Sequence, residues 1–236
     1  GPFLCAAGKA YGVQAGTAQL LGGGLCDIPA WFAERFLQGK SLGVGFGGYC
    51  SGQGSSVGPS LFACSRQLAE ITPAVPLLRF GPLGTTDKML RERRPPDYSN
   101  AADVWSIEPE GKIGYWAADR VLAGPVWIET DGVAGVCYWV LQGRGKLAYS
   151  RQTETFGETA VIRLYVYSPR QLAEVAQGLK KPHQPRGAFH DWTGGVPGTV
   201  RGSCWLPRRE TLFLLVANAY SSEGEQLPVV AAYRLR

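Results

Sequence analysis

The stretch GPVWIETDGVAGVCYWV (124–140) places two apolar runs on either side of Asp131-Gly132. Asp-Gly between such runs is a strong short-range signal for a β-hairpin. The same pattern of Gly, a short apolar run and a polar turn recurs along the chain. It appears as GPFLCAAGKAYGV at residue 1, as GPSLFACSRQ at 58–67, and as RGSCWLPRRETLFLLVA at 201–217, where Pro207 and Arg208 open the turn. Closing strands follow in AVIRLYVYSP (160–169) and LPVVAAYRLR (227–236). Repeats of several short antiparallel strands are the mark of propeller blades. The starts are farther apart than the roughly 40–50 residues of one blade. Extra blades or insertions are therefore expected between them, with DVWSIEPEGKIGYWAADRVL (103–122) as part of one. The expectation is an all-β chain, a single β-propeller domain over residues 1–236 with about five blades, four or six being compatible. A β-sandwich whose strands echo one another is the alternative.

A second phrase is also written twice. YVYSPRQLAEVAQGLKKP (165–182) and IPAWFAERFLQGKS (28–41) each run from a proline through a short apolar patch to a glycine and a lysine. Pro169 cannot donate to a sheet ladder and suits the first turn of a helix. Leu172, Val175 and Ala176 then form one apolar stripe at helical spacing. Gly178 is the expected C-cap, with Lys180 and Lys181 beyond it in solvent. The same logic predicts a turn over 30–37 closed by Gly39. Both turns are expected to shield an open outer strand edge.

Composition supports a packed β-rich chain. Hydrophobic residues make up 45% and charged residues 18%, which favours a core over disorder. The 32 glycines and 16 prolines point to many tight turns. The net charge of +5 has its densest clusters in LRERRPPDY (90–98) and GLKKPHQPRG (178–187). Both contain Pro and read as solvated loops, without the interleaved aromatics of a nucleic-acid groove, so no nucleic-acid partner is expected. No apolar run approaches the roughly 18 residues of a membrane span. The start, GPFLCAAG, lacks the charged region of a signal peptide, and a secreted or periplasmic setting is the favoured expectation. Six cysteines stand at 5, 26, 50, 64, 137 and 204 without a CxxC pair, so no metal site is expected. No motif calls for a cofactor. Counted from each unit glycine, Cys5, Cys64 and Cys204 fall at even offsets and are expected to be buried thiols on one strand face. Disulfides remain open, since sequence does not give connectivity.

The segments EGKIGYWAADRVLAGPVWIETDGVAGVCYWV, AVIRLYVYSPRQLAEVAQGLKKP and YCSGQGSSVGPSLFA together resemble a group of uncharacterised bacterial β-propeller-like proteins. Those carry Gly-Lys-Gly-x-Trp-x-x-x-Asp, Gly-Val-Trp-Ile-Asp-Thr and Tyr-Asp-Pro-x-x-Leu-Ala-x-Val-Ala-x-Gly segments, and the resemblance covers most of residues 40–236. Ser168 and Glu129 stand where the group has Asp, and Tyr115-Trp116 where one Trp is usual. The resemblance implies the propeller fold and no particular reaction.

Candidate site residues lie near the strand starts, which a propeller gathers around its axis. In YCSGQGSSVGPS, Ser51 and Gln53 are hydrogen-bonding side chains on a glycine-rich backbone that can approach a ligand closely. No Gly-Lys-Ser/Thr follows, so this is not a phosphate loop. The plainer reading is a tight inter-blade connection. Trp116 and Asp119 come next, Asp119 being a candidate general acid or base if desolvated, or a turn cap. Trp127 and Glu129 share a strand face, and an aromatic ring beside a carboxylate suits sugar stacking with acid–base chemistry. Glu129 also reads as a surface carboxylate. His190, Asp191 and Trp192 lie in an expected long loop, with no nucleophile motif to complete a triad. Catalytic candidates are thus Asp119 and Glu129. Ligand-binding candidates are Ser51, Gln53, Trp116, Trp127, His190 and Trp192.

Two function classes follow. One is a carbohydrate-facing protein, glycan-binding or glycoside-acting. The other is a non-catalytic scaffold that docks on partner proteins. A mouth where Asp119, Glu129 and an aromatic converge favours the first. An apolar patch elsewhere on the surface favours the second.

Overall fold

The computed structural model describes residues 24–45, 58–66, 74–79, 120–144 and 159–235. They form three antiparallel sheets, each a meander in which sequence neighbours are sheet neighbours. The first contains β1 (Leu25–Asp27), β2 (Leu42–Val44), β3 (Leu61–Cys64) and β4 (Val75–Leu78). The second contains β5 (Arg120–Glu129), β6 (Ala134–Arg144), β7 (Thr159–Tyr167) and β8 (Ala188–Asp191). The third contains β9 (Thr199–Leu206), β10 (Thr211–Ser222) and β11 (Glu225–Arg234). The all-β expectation holds.

Local chemistry explains the turns. Thr130 closes the β5–β6 hairpin: its backbone N–H donates to the Val133 carbonyl at 2.8 Å, and its hydroxyl oxygen accepts from the Val133 N–H at 3.0 Å. The β9–β10 connection is a 3-10 turn over Pro207–Arg209, followed by Glu210 in the left-handed region, as the strand–turn–strand reading of 201–217 predicts. At the β10–β11 turn Glu223 and Gly224 both have positive φ, 52° and 85°, the backbone sense that matches strand twist in a two-residue hairpin.

The second sheet is the middle layer. Successive side chains of a strand point to opposite faces, and on β6 every side chain from Val136 to Val140 is buried. Val136, Tyr138 and Val140 pack with Trp127, Tyr165 and Tyr167 against the first sheet. Cys137 and Trp139 pack with Val126, Ile128 and the third sheet's Leu212, Leu214 and Val216. This two-sided burial is why residues 136–141 are an unbroken apolar run. The Tyr138 hydroxyl is buried and donates to the Ser60 carbonyl at 2.7 Å, tying the first sheet to the second. Burial holds that phenol well above its usual pKa.

The leading strands of the three sheets lie together, with β5 beside both β1 and β9. Gly24, just before β1, stands so close to Gly124 and Pro125 that a Cβ there would collide with both.

Several expectations change. The described residues do not close into a propeller or barrel, so the five-bladed ring is not what they show. The unit starts are not equivalent: Gly58 precedes β3, third in its sheet, while Gly124 lies inside β5 and Arg201 inside β9. The start at residue 1 lies outside the described residues. The 160–169 segment is not an outer strand either, because β8 pairs beyond it, Tyr165 facing Phe189.

The repeated phrase does form two helices, α1 (Ala30–Phe36) and α2 (Pro169–Ala176). Ser168 caps α2, its hydroxyl oxygen accepting from the Gln171 N–H at 3.4 Å. Gly39 and Gly178 follow with φ of 81° and 75°, the left-handed C-terminal position that glycine occupies without strain. α2 packs against β4, the edge strand of the first sheet, and both helices also enter the core. Phe32, Leu172 and Ala173 are buried in the cluster shared by the first and second sheets. Lys180 is not free in solvent but ion-pairs with Glu174 at 2.7 Å.

Candidate functional site

Two surface features stand out. The first is at the end of β5. Trp127 and Glu129, two residues apart, share a face as the alternation predicts. The Trp127 indole N–H donates to Glu129 Oε1 at 3.2 Å, and the Trp31 indole N–H from α1 donates to the same oxygen at 2.9 Å. Phe32 sits between the two indoles, its ring centroid 5.4 Å from that of Trp31 and 4.9 Å from that of Trp127. Trp31 is 47% exposed and Trp127 only 4%. The expectation of Trp127 as a ligand platform is therefore corrected: its ring is part of the core, and the exposed indole is Trp31. Glu129 is exposed, with one oxygen engaged by both indoles. It is an acceptor-only carboxylate that fixes the surface indole in place.

That site offers hydrogen-bond acceptance and a ring surface. Glycosidic bond cleavage ordinarily needs two carboxyl groups about 5–9.5 Å apart. Asp119, the other expected carboxylate, lies outside the described residues, as do Ser51, Gln53 and Trp116. Asp131 is exposed in the β5–β6 turn.

His190 and Asp191 are on β8 rather than in a loop, because β8 pairs with β7. Asp191 ion-pairs with Arg163 at 2.9 Å, and the guanidinium also lies 4.2 Å from the Phe189 ring centroid. His190 is exposed, and its backbone stands opposite Leu164. Trp192 is a joint between layers, not a ligand platform: its ring meets Trp139 and Tyr233 edge-on, each at 5.7 Å. The Tyr233 hydroxyl donates to the Gly194 carbonyl at 2.5 Å, closing the same joint. Of the described candidates, Glu129 and Trp127 are adjacent, and His190 and Trp192 belong to other neighbourhoods.

Of the three thiols expected to be buried, Cys64 is buried, Cys204 is exposed and Cys5 lies outside the described residues; Cys137 is buried as well. The unit offset of Cys204 does not transfer, because the face of β9 that carries it is the one turned away from the second sheet. Burial pushes the Cys26 and Cys137 thiols up to about 12, with Asp27 adding to the shift at Cys26. Among the described residues no group of three or more His, Cys, Asp or Glu side chains is placed to hold a metal ion. Among them, too, no helix is long and apolar enough to cross a membrane.

The second feature is the outer face of the third sheet. Inward-facing Leu212, Leu214 and Val216 are buried against the middle layer. The residues between them form cross-strand rows on the opposite face: Leu206, Thr211 and Arg234; Cys204, Phe213 and Ala232; Gly202, Leu215 and Val230. Leu206 is 38% exposed, Leu215 42% and Val230 65%. Apart from Arg234 at one end, these rows carry no charge. The first sheet differs: Val44, Phe62 and Cys64 are buried although they belong to neither core cluster.

Sequence reasoning missed Trp31 and this face. Trp31 sits in an apolar phrase that reads as helix core, although a Trp followed by core Phe32 faces another way on a helix. The face was written in TLFLLVA and PVVAAY, whose uninterrupted apolar character implies two covered sides. The chain matches no family model, no curated protein and no solved structure.

Proposed function

We propose that this chain is a non-catalytic interaction module of propeller type, which docks on protein through the outer face of its third sheet. The carrying observation is the set of uncharged rows centred on Phe213 and Leu215, left open on a sheet whose other face packs on the second sheet. Contiguous exposed apolar surface of this kind marks interaction sites, whereas scattered apolar residues do not. The propeller reading draws on the three consecutive meanders, on the grouping of β1, β5 and β9, and on the resemblance to the propeller-like group. A fluorescent apolar dye tests the module reading. Protein dilute enough for the face to be free should bind it, and Leu215→Lys with Val230→Lys should abolish binding while leaving the melting temperature within a few degrees. Dye binding that is absent, or that survives in the variant, counts against the reading.

A glycan-binding role is the second reading, favoured by Trp31 beside Glu129. An exposed indole held by a carboxylate offers a stacking surface for a sugar and an acceptor for its hydroxyls. A glycan array with and without calcium, run on the natural chain and on Trp31→Ala, decides it. Retention lost in the variant supports the role; no retained glycan ends it.

A further inference from the structure

We infer that the partner on the outer face of the third sheet is a second copy of this chain, packed face to face about a two-fold axis that lies between the two sheets, parallel to them and perpendicular to the strands. The inference rests on the interaction-module reading above and names its occupant.

The face has the chemistry of a self-complementary surface. A two-fold contact brings the same patch together twice, so a charge at its centre would meet its own copy. The centre here is Cys204, Phe213, Leu215, Val230 and Ala232, with no charge among them. Exposed Arg201 stands at the β9 bulge beside Gly202; the remaining charge lies at the ends and differs between them. At the β9–β10 turn stand Arg208, Arg209 and Arg234, against the single acid Glu210. At the β10–β11 turn stand Glu223 and Glu225. All are exposed, and none has an ion-pair partner among the described residues. A two-fold axis between the sheets and perpendicular to the strands turns one copy end for end over the other. The arginine end of each copy then moves toward the glutamate end of its partner, at both ends at once. A parallel arrangement would oppose arginine to arginine.

The dimensions are compatible. Three strands of 8, 12 and 10 residues, about 4.8 Å apart at about 3.3 Å per residue, make a face of roughly 500 Å², irregular beyond Leu215 where the register shifts. Side-chain relief increases that, toward the roughly 800 Å² per partner of a standard interface. Such a dimer would bury the rows as the middle sheet buries its own.

Sedimentation equilibrium on the full chain is the test. The natural chain should be a dimer, with Leu215→Glu or Val230→Glu weakening association at least tenfold. Arg209→Glu alone and Glu225→Arg alone should each weaken it, more so at low salt, and the double variant should recover association. That recovery separates the proposal from simple loss of folding. A monomer at every soluble concentration overturns it. So does a dimer indifferent to both the face variants and the charge reversals. In a monomer, dye bound at Leu215 would leave the module reading standing with another occupant, and no dye bound would remove both. A monomer that binds dye only after residues 1–23 are removed would identify an intramolecular cover and also overturn the dimer.

Discussion

The indole N–H of Trp31 donates to Glu129 Oε1 at 2.9 Å, joining residues 98 apart in sequence. The same oxygen accepts from Trp127, whose ring is buried. Glu129 therefore has a structural task whatever binds beside it. Removing its carboxylate leaves a buried indole donor without its partner, which costs about 1–2 kcal/mol. Glu129→Ala should lower stability by that amount and shift tryptophan emission. Glu129→Gln keeps an acceptor oxygen and should cost less. Equal melting temperatures for both variants and the natural chain would show that the shared acceptor has no energetic weight.

Thiol reactivity should separate the cysteines by face. Only the thiolate reacts, and Cys137 combines complete burial with a thiol held up to about 12. Cys204 is exposed. Peptide mapping after brief labelling of the dissociated Leu215→Glu variant should find Cys204 modified and Cys64 and Cys137 untouched. Rapid labelling of Cys137 would contradict the two-sided middle layer. Protection of Cys204 in a self-associated sample, lost in Leu215→Glu, would agree with a covered outer face.

Gly124 is a backbone requirement. Its φ is +111°, and a Cβ there would lie 2.6 Å from the Cys137 carbonyl oxygen and 2.7 Å from the Tyr138 ring. Both neighbours are fixed in the middle strand, so Gly124→Ala should destabilise by about 3 kcal/mol or more. A denaturation midpoint unchanged from the natural chain would mean that β5 can move away from β6. Gly178→Ala is the control, since its Cβ would meet nothing within 4 Å although its φ is +75°. It should cost only about 1 kcal/mol.

The α2 helix separates cap from core. Leu172 is fully buried, and Leu172→Ala should cost about 2–5 kcal/mol. Ser168→Ala removes one long cap hydrogen bond and should cost about 0.5–1 kcal/mol. Chemical denaturation of both variants checks the order; a larger loss from Ser168→Ala would place the helix outside the core.

Glu174 should report the α2 C-terminus. Its carboxyl is held below the usual range, first by the hydrogen bond from Lys180 and then by the charges of Lys180 and Arg170. A depressed folded-state carboxyl contributes above its unfolded pKa and loses that contribution as pH falls through the folded value. Carbon-detected titration should therefore find the Glu174 midpoint below that of an ordinary glutamate, rising toward it in Lys180→Ala. An unmoved midpoint would show that the pair does not persist in solution.

The sequence alone carried β3, β5 to β7 and β9 to β11, their turns and the two helices, because those follow from short-range chemistry. Asp131-Gly132 and Pro207-Arg208 announce their turns within four residues, and Pro169 and Gly178 bracket α2 by restricting or freeing single φ angles. What it could not carry was which face of each strand meets what. Even offsets placed Cys64 and Cys204 on equivalent faces, yet one is buried and the other exposed, because burial depends on a neighbouring sheet that lies far away in sequence. Trp127 read as a stacking surface until Phe32, 95 residues earlier, was found packed on its ring. Period-two alternation tells that two faces exist, and an unbroken apolar strand such as β6 or β10 asks for both to be covered. Only the tertiary stack decided that β6 has its two covers and that β10 has one, since that outcome is set by layer order and not by any local residue preference.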